Sequence, residues 1–293
     1  MSSWIQRVRE TARRNRPSRK PQPWADPLLA LRRRVAFEVN RRIKDGWLDE
    51  TQIVELSRAG FADGDGAPPR IAVVPRETIS QTLFLYGSFE ISETRLIQAV
   101  LKPGMTFVDV GANIGAFSLW AERLGAEVVA YEPEPKTCES LVANVAGRRV
   151  TTRQAALVGE AAPAVRLYLS GVRSTRHTLL AKEIESGAPL RDFVDVPTVT
   201  VADVVGDGCD LLKLDCEGAE FEALFRSDDE TLRRARRLVV EYHRIGGEPE
   251  ELVDRLEAAG LEVSLLWTSE AVGAIGARLP SPGGQRPPLS TES

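Results

Sequence analysis

The feature that most constrains the fold is the alternation of strand-like and helix-like segments after residue 70. Short runs rich in β-branched residues begin near residues 107, 127, 210, 236 and 261. Amphipathic stretches separate them, at 114–124, 136–146, 218–227 and 249–259. Such alternation is typical of an open, mostly parallel sheet with helices on both faces. The sequence therefore predicts an α/β domain over residues 70–279.

One longer segment, residues 160–201, interrupts this alternation. Its two strand-like runs, AVRLYLS and DVPTVTV, lie on either side of a polar loop. They predict an inserted hairpin over the edge of the sheet. The last residues, 280–293, are rich in Pro, Gly and Ser, and we expect them to be a disordered tail.

The first 69 residues have a different character. Residues 1–44 contain 13 Lys and Arg against three acidic residues, a balance of +10, while the remaining 249 residues carry 25 basic against 39 acidic side chains, or −14. We expect residues 1–26 to be a basic, disordered leader. Apolar spacing predicts one helix from Leu28 to Ile43 and a second from Asp49 to Gly60, so residues 27–69 are expected to form a helical prefix.

Two features exclude whole classes of protein. No segment approaches the roughly 18 to 20 apolar residues of a membrane-spanning helix, and the N-terminus lacks the apolar core of a secretory signal. The three cysteines, Cys138, Cys209 and Cys216, show neither CxxC nor paired Cys/His spacing, which excludes a disulfide framework and a zinc site. We therefore expect a cytoplasmic protein with reduced thiols.

A strand followed by a glycine-rich turn occupies residues 107–115. Open parallel sheets bind ligands beyond the carboxyl ends of their strands, beside the first strand. Gly111 lacks a Cβ where the backbone must approach a ligand, and Gly115 permits a helix to pack closely on the strand. Glu132, 23 residues after Asp109, ends the second strand, where its carboxylate can accept hydrogen bonds from both hydroxyls of a ribose. These positions predict an adenosine-containing ligand.

The spacing of the glycines indicates which adenosine ligand binds. The turn reads GxNxG with a bulky Ile114, whereas a dinucleotide fingerprint requires GxGxxG and room for a pyrophosphate. The carboxylate of Asp109 repels phosphates and suits a cationic cofactor. S-adenosylmethionine carries positive ammonium and sulfonium groups, so we predict this cofactor rather than a nicotinamide dinucleotide.

Several motifs follow one another along the chain: YGSFE, DVGANIGAFSL, AYEPEP, VTVADV, and LLKLDCEGAE followed by VVEYH. Together they resemble the FkbM family of S-adenosylmethionine-dependent methyltransferases. The resemblance extends from about residue 80 to about residue 245. It implies a class I, Rossmann-like methyltransferase sheet and O-methylation of hydroxyls on natural products or sugars. Cys216 departs from the pattern, because a small aliphatic residue is expected at that position.

The resemblance also assigns site residues. Asp109, Gly111, Asn113, Gly115 and Glu132 fall on the family's cofactor motif. Its DxEGxE motif falls on Asp215, Glu217, Gly218 and Glu220. The cofactor-binding residues that we expect are Glu90, Asp109, Gly111, Ala112, Asn113, Gly115, Glu132, Ala156 and Asp215.

Charged residues after the fourth and fifth strands predict the catalytic centre. Asp215 and Glu217 follow the fourth strand, and Glu241 and His243 occupy the equivalent positions of the fifth. In-line methyl transfer requires alignment of the acceptor oxygen and removal of its proton, for which we expect His243 as base, with Glu217, Asp215 and His177 as the other catalytic candidates. The expected acceptor-binding residues share one polar loop; they are Arg173, Ser174, Arg176 and His177.

Three alternatives remain open. Glu217, Glu241 and His243 have the ligand types of a divalent cation, but their spacing is not diagnostic and we predict no metal. The basic leader could recruit an RNA or a peptide as acceptor, although no [ND]PP[YFW] tetrapeptide follows the fourth strand and we expect a small molecule or glycan instead. A non-catalytic adenosine-binding scaffold is the third alternative. The joint presence of four acidic residues argues against it: Asp109, Glu132, Asp215 and Glu217.

Overall fold

The structure is a computed structural model that describes residues 50–56, 68–74, 78–86, 90–170 and 190–280. It divides into two compact units, Met1–Ile91 and Ser92–Ser293.

In the first unit, strand β1 (Gln52–Glu55) pairs antiparallel with β2 (Arg70–Val73), and helix α1 (Thr78–Tyr86) follows. The prediction of a helix from Asp49 to Gly60 is therefore wrong at Gln52–Glu55. The β-branched pair Ile53 and Val54 favours extended backbone, and β2 supplies the hydrogen-bonding partner. The predicted leader and first helix lie outside the described residues.

The second unit contains eleven strands among its described residues. In chain order they are β3 (Thr106–Val110), β4 (Glu127–Tyr131), β5 (Val150–Arg153), β6 (Ala156–Leu157), β7 (Val165–Ser170), β8 (Leu190–Val196), β9 (Thr198–Val199), β10 (Leu211–Leu214), β11 (Arg237–His243), β12 (Glu262–Thr268) and β13 (Val272–Arg278). The helices are α2 (Ile91–Val100), α3 (Ala116–Arg123), α4 (Pro135–Asn144), α5 (Val201–Val205), α6 (Glu220–Arg226), α7 (Asp229–Arg234) and α8 (Pro249–Ala258).

Seven of these strands form one mixed sheet in the order β12-β13-β11-β10-β3-β4-β5. The five strands from β11 to β5 are parallel, whereas β13 runs antiparallel to both β11 and β12. The central strands are apolar and buried; Phe107, Leu211, Leu212 and Leu214 are completely shielded from solvent. The predicted class I methyltransferase sheet is confirmed. None of the helices in the described ranges is long and apolar enough to cross a membrane.

Two strands of the sheet were missing from the sequence prediction. β5, with the sequence VTTR, is short and partly exposed. β13 contains Gly273 and Gly276, which obscure the strand pattern. Gly273 is required there because a Cβ at this position would overlap the hydroxyl of Tyr242 on the neighbouring strand.

The predicted hairpin is present as the antiparallel pair β7 and β8. Leu167 and Val196 pack with Ala156 in a small apolar cluster that is separate from the central strands. The connecting residues 171–189, which include the four predicted acceptor-binding residues, lie outside the part of the chain that the structure describes.

The turn after β3 approaches the end of β10 so closely that only glycine fits at position 111. Gly111 has a φ of +78°, and a Cβ there would overlap the backbone carbonyl oxygen of Asp215. Gly147 has a similar φ of +74°, but a Cβ there would meet nothing within 4 Å. The two glycines therefore share the same conformational requirement and differ in the available space.

We expect Gly111→Ala to lower the free energy of unfolding by about 2 to 5 kcal/mol, because the left-handed conformation and the backbone overlap both oppose it. Gly147→Ala is the matched control and should cost only about 1 to 2 kcal/mol, the conformational part. Urea unfolding of both variants measures the difference. Equal losses would show that the turn can move away from Asp215.

Candidate active site at the carboxyl ends of the strands

The turn after β3 is fixed by hydrogen bonds to the end of β4. The amides of Gly111 and Ala112 both donate to the carbonyl oxygen of Tyr131, each at 2.9 Å. Asn113 has a positive φ of 51°, and its side-chain Oδ1 accepts a hydrogen bond from the amide of Ile114. Asn, with its short polar side chain, tolerates this conformation better than most residues. The turn is therefore shaped before any ligand is bound.

The structure shows what each of the two predicted glycines packs against. Gly111 faces the backbone of Asp215, so its missing Cβ permits two segments of the protein to approach each other, and its approach to a ligand stays a prediction. A Cβ at Gly115 would lie 2.8 Å from Cδ1 of Leu141, so this glycine permits α3 to begin against α4 rather than against a strand.

Glu132 lies beside the turn, as predicted. Its Oε2 accepts a hydrogen bond from the amide of Asn113 at 2.9 Å, and its Oε1 accepts one from the amide of Glu134 at 3.0 Å. Burial raises the pKa of Glu132 to about 7, although these two backbone hydrogen bonds act in the opposite direction. Each carboxylate oxygen has a second lone pair. The side chain is thus held in place and can still accept hydrogen bonds from hydroxyl groups.

A buried lysine, Lys213, lies at the centre of the sheet next to Asp109. The two residues are register partners on β10 and β3, and their exposures are 1% and 0%. Asp109 Oδ2 accepts a hydrogen bond from Ser118 Oγ at 2.6 Å, and Oδ1 has no hydrogen-bond partner among the described residues. Burial raises the pKa of Asp109, and the charge of Lys213 counteracts this effect.

Lys213 connects this buried region to the site. Its Nζ lies 3.0 Å from Oδ2 of Asp215 and 4.9 Å from the centre of the Phe117 ring. Glu93, on α2, is also buried and accepts a hydrogen bond from Nε1 of Trp267. Burial raises the pKa of Glu93, and the charge of Lys213 is among the effects that lower it. One lysine therefore compensates several buried carboxyl groups.

The strand pairing explains why these groups meet. Asp109, Lys213 and Asp215 point to the same face because neighbouring parallel strands stay in register and side chains alternate with a period of two. Leu214 pairs with Val240, so the next residues, Asp215 and Glu241, also lie side by side. His243, two residues after Glu241, extends the same row. The strands thus bring the predicted charged residues of β10 and β11 together.

His243 lies between two carboxylates that follow β10. Its Nε2 is 3.3 Å from Oε2 of Glu217, and its Nδ1 is 3.3 Å from Oε1 of Glu220. Glu220 is completely buried and accepts hydrogen bonds from the amides of Cys216 (2.5 Å) and Gly218 (2.9 Å). These bonds fix Glu220, which in turn fixes the orientation of the imidazole ring.

The electrostatics of the row follow from burial and from its many negative charges. Burial lowers the pKa of His243, but the hydrogen bond and charge of Glu220, with the charges of Glu217 and Asp215, outweigh it and raise the pKa to about 10. Burial raises the pKa of Glu217 to about 8, against the effect of His243. Burial and the charge of Asp215 raise the pKa of Glu241 to about 8. The acidic groups of the site therefore share the positive charges of Lys213 and His243.

The predicted cofactor-binding residues also include Ala156 and Glu90. Ala156 belongs to the apolar cluster of β6 to β8, and its amide donates to the carbonyl oxygen of Pro197. Glu90 belongs to the first unit and has a positive φ of 43°. Their assignment to cofactor binding stays a prediction, as does that of the loop residues Arg173, Ser174, Arg176 and His177.

The sequence reasoning missed Lys213 and Glu93 and gave Glu220 no role of its own. A signal existed for Lys213, because a charged residue inside the apolar strand LLKL must have a partner when the strand is buried. Glu93 gave no such signal, since its partner Trp267 is 174 residues away in the sequence.

We expect Lys213→Met to lower the free energy of unfolding by about 3 to 5 kcal/mol, because it leaves buried carboxylates without a cation. Arg226→Met is the matched control: its ion pair with Glu160 is exposed, and its loss should cost less than about 1 kcal/mol. Urea unfolding near neutral pH compares the two. Similar losses in both variants would contradict a central role for Lys213.

Comparison with known proteins places this site in a family. The methyltransferase FkbM domain matches residues 109–263, more than half of the chain and nearly all of the site described above. The chain is 29% identical over 227 residues to the 31-O-demethyl-FK506 methyltransferase FkbM of Streptomyces tacrolimicus, covering 67% of this chain and 87% of that protein. It is 30% identical over 211 residues to the methyltransferase sdnD of Sordaria araneosa, covering 58% and 80%.

A solved structure is also similar to the chain. It is the methyltransferase FkbM from Methylobacillus flagellatus KT, with a TM-score of 0.39 and 15% identity over 68% of this chain and 54% of that chain. The sequence match over residues 109–263 carries the assignment. The chain belongs to the FkbM methyltransferase family, as its motifs predicted.

Proposed function

We propose that this protein transfers a methyl group from S-adenosylmethionine to a hydroxyl group of a small molecule, such as a natural product or a sugar. The observation that carries the proposal is the placement of Glu132 at the end of β4 and of the row Asp215, Glu241 and His243 at the ends of β10 and β11. A hydroxyl-binding carboxylate and a negatively charged row thus share one edge of the sheet.

The described residues fit the methyl donor at two points. Glu132 is oriented by two backbone amides and can accept the ribose hydroxyls. The carboxylates of the row favour the positive charges of the donor. When bound, the donor supplies a methyl carbon on a positively charged sulfur; the acceptor oxygen forms a bond to this carbon while the carbon–sulfur bond breaks and its electron pair stays on sulfur.

The acceptor hydroxyl must also lose its proton. We assign this step to Glu217, whose side chain is 32% exposed and lies against Nε2 of His243. The expected base, His243, is hydrogen-bonded through Nδ1 to Glu220, and its Nε2 lies 3.3 Å from Oε2 of Glu217, an arrangement that suits a residue that positions Glu217. The proton then passes from Glu217 to solvent after the product leaves.

The class of acceptor is supported by the relatives. The name of the Streptomyces tacrolimicus protein places its methyl group on an oxygen of FK506, a small molecule. We propose that this protein also methylates a hydroxyl oxygen; the proposal does not extend to FK506 as its acceptor. Arg173, Ser174, Arg176 and His177 remain the proposed contacts to the acceptor.

The pH dependence of cofactor binding tests the role of Glu132. Its carboxylate form accepts the ribose hydroxyls, and its pKa of about 7 means that this form becomes dominant as the pH rises from 6 to 8. We therefore expect the affinity for S-adenosylmethionine to increase by up to about 10-fold over this range. Glu132→Gln should bind about 10- to 100-fold more weakly at pH 8, with a flatter profile.

Isothermal titration calorimetry measures these affinities. Glu139→Gln, an exposed substitution on α4, is the control and should keep the profile of the unmodified chain. If the affinity for S-adenosylmethionine depends on pH in the same way in Glu132→Gln and in the unmodified chain, the ribose does not bind at Glu132.

The rate of methyl transfer tests the proposed roles of Glu217 as base and His243 as its positioning partner. We expect Glu217→Gln and His243→Asn each to reduce methyl transfer by about 10²- to 10⁴-fold, because the hydroxyl proton loses its acceptor or that acceptor loses its positioning partner. Binding of S-adenosylmethionine should change less than about 3-fold. Glu222→Gln, an exposed change on α6, is the control for a loss of carboxylate. Full activity in both site variants would remove the pair from the mechanism.

The proposed function as a whole is tested with the full chain and a labelled methyl donor. Calorimetry with S-adenosylmethionine should show saturable binding, and a panel of hydroxylated macrolactones and sugars should include one that accepts the label. Saturable binding of NAD without binding of S-adenosylmethionine would overturn the proposal. Label found only in RNA or peptide would overturn the small-molecule acceptor.

A further inference from the structure

Three side chains of the site have the arrangement of a small metal centre. Asp215, Glu241 and His243 each offer one ligand atom, and these atoms all lie within 4.8 Å of one another. Two carboxylate oxygens and one imidazole nitrogen form a mixed ligand set that suits divalent cations such as Mn²⁺. The sequence offered ligand types at Glu217, Glu241 and His243 but led to no predicted metal, whereas the structure brings Asp215 together with Glu241 and His243.

Glu241 gives an independent indication that something is bound here. The residue is only 8% exposed, and its Oε2 has no hydrogen-bond partner among the described residues. Buried polar atoms are normally paired, because removing one from water without a partner is costly. A cation within reach of Asp215 and His243 would satisfy this oxygen.

The surroundings of His243 are those of a metal-binding histidine. Glu220 holds Nδ1 and is itself fixed by the amides of Cys216 and Gly218. A carboxylate on one ring nitrogen commonly orients the other nitrogen toward a metal. Nε2 is therefore the nitrogen that would bind the cation. The cation would displace the proton of the ring to solvent and would replace the present contact between Nε2 and Oε2 of Glu217, which are 3.3 Å apart.

Lys213, the buried lysine beside this row, is shared among several carboxyl groups. Lys213 reaches Asp215 through Oδ2 at 3.0 Å, and it also faces the buried carboxylate of Asp109 on the neighbouring strand. A divalent cation would supply two further positive charges where Glu241 and Asp215 lie side by side.

We propose that Asp215, Glu241 and His243 bind one divalent cation, of the Mn²⁺ or Mg²⁺ class, beside the methyl-transfer site. Its role deepens the proposed function and rests on it: the cation holds the acceptor hydroxyl next to the donor and makes its proton easier to remove by Glu217. Binding of the cation itself does not depend on the identity of the acceptor.

The direct test measures binding of Mn²⁺ to the EDTA-treated full chain by electron paramagnetic resonance, without donor or acceptor. We expect one Mn²⁺ per chain and an affinity at least about 10-fold lower in Glu241→Gln, a substitution of nearly the same shape. Glu127→Gln is the matched control, since this exposed residue lies at the opposite end of the sheet, at the start of β4. It should bind as the unmodified chain does.

Thermal unfolding of each variant shows whether it is folded, and His243→Gln provides the same comparison if Glu241→Gln does not fold. Absence of bound Mn²⁺, or equal binding in folded site variants, would overturn the metal site. Binding of S-adenosylmethionine and methyl transfer are measured with and without EDTA in parallel. Turnover that persists in EDTA would overturn the role of the metal in methyl transfer and leave the methyltransferase proposal intact. Mn²⁺ binding without any binding of S-adenosylmethionine would leave the metal site intact and overturn the methyltransferase proposal.

Discussion

The site depends on the burial of Lys213 in the middle of the sheet. A lysine at this depth is stable only beside negative charge, and the register of β10 with β3 puts Asp109 next to it. The same ammonium group reaches forward to Asp215 at the end of its own strand. The sheet core and the charged edge are therefore linked by one side chain, and the positions of the acidic residues follow from it.

The remainder of the site is built on the regular alternation of side chains along parallel strands. Asp215, Glu241 and His243 form a row because β10 and β11 are in register, and Glu220 then fixes the outermost member from the following helix. Glu132 is oriented in a different way, by backbone amides of the turn and of its own strand end. Rigid strands thus position the charged row, while hydrogen bonds from backbone amides position the carboxylate of Glu132.

Much of this arrangement could be predicted from the sequence, because it depends on local patterns. The alternating segments predicted the sheet, and the motifs around Asp109, Glu132 and Asp215 predicted the edge at which the candidate site lies. The prediction failed where distant contacts decide the outcome. Gln52–Glu55 is a strand because Arg70–Val73 pairs with it. The strand pattern of β13 is obscured by its glycines, of which Gly273 leaves room for Tyr242. Glu93 is hydrogen-bonded to Trp267, which is 174 residues away in the sequence.

The contact between Gly111 and the carbonyl of Asp215 has a consequence for how the site can vary. It joins the turn after β3 to the loop after β10, so a side chain at position 111 would displace the backbone of Asp215. Changes in the conformation of the turn and of the loop are therefore coupled. The β7–β8 hairpin packs in its own apolar cluster, so a change within that cluster leaves this contact intact.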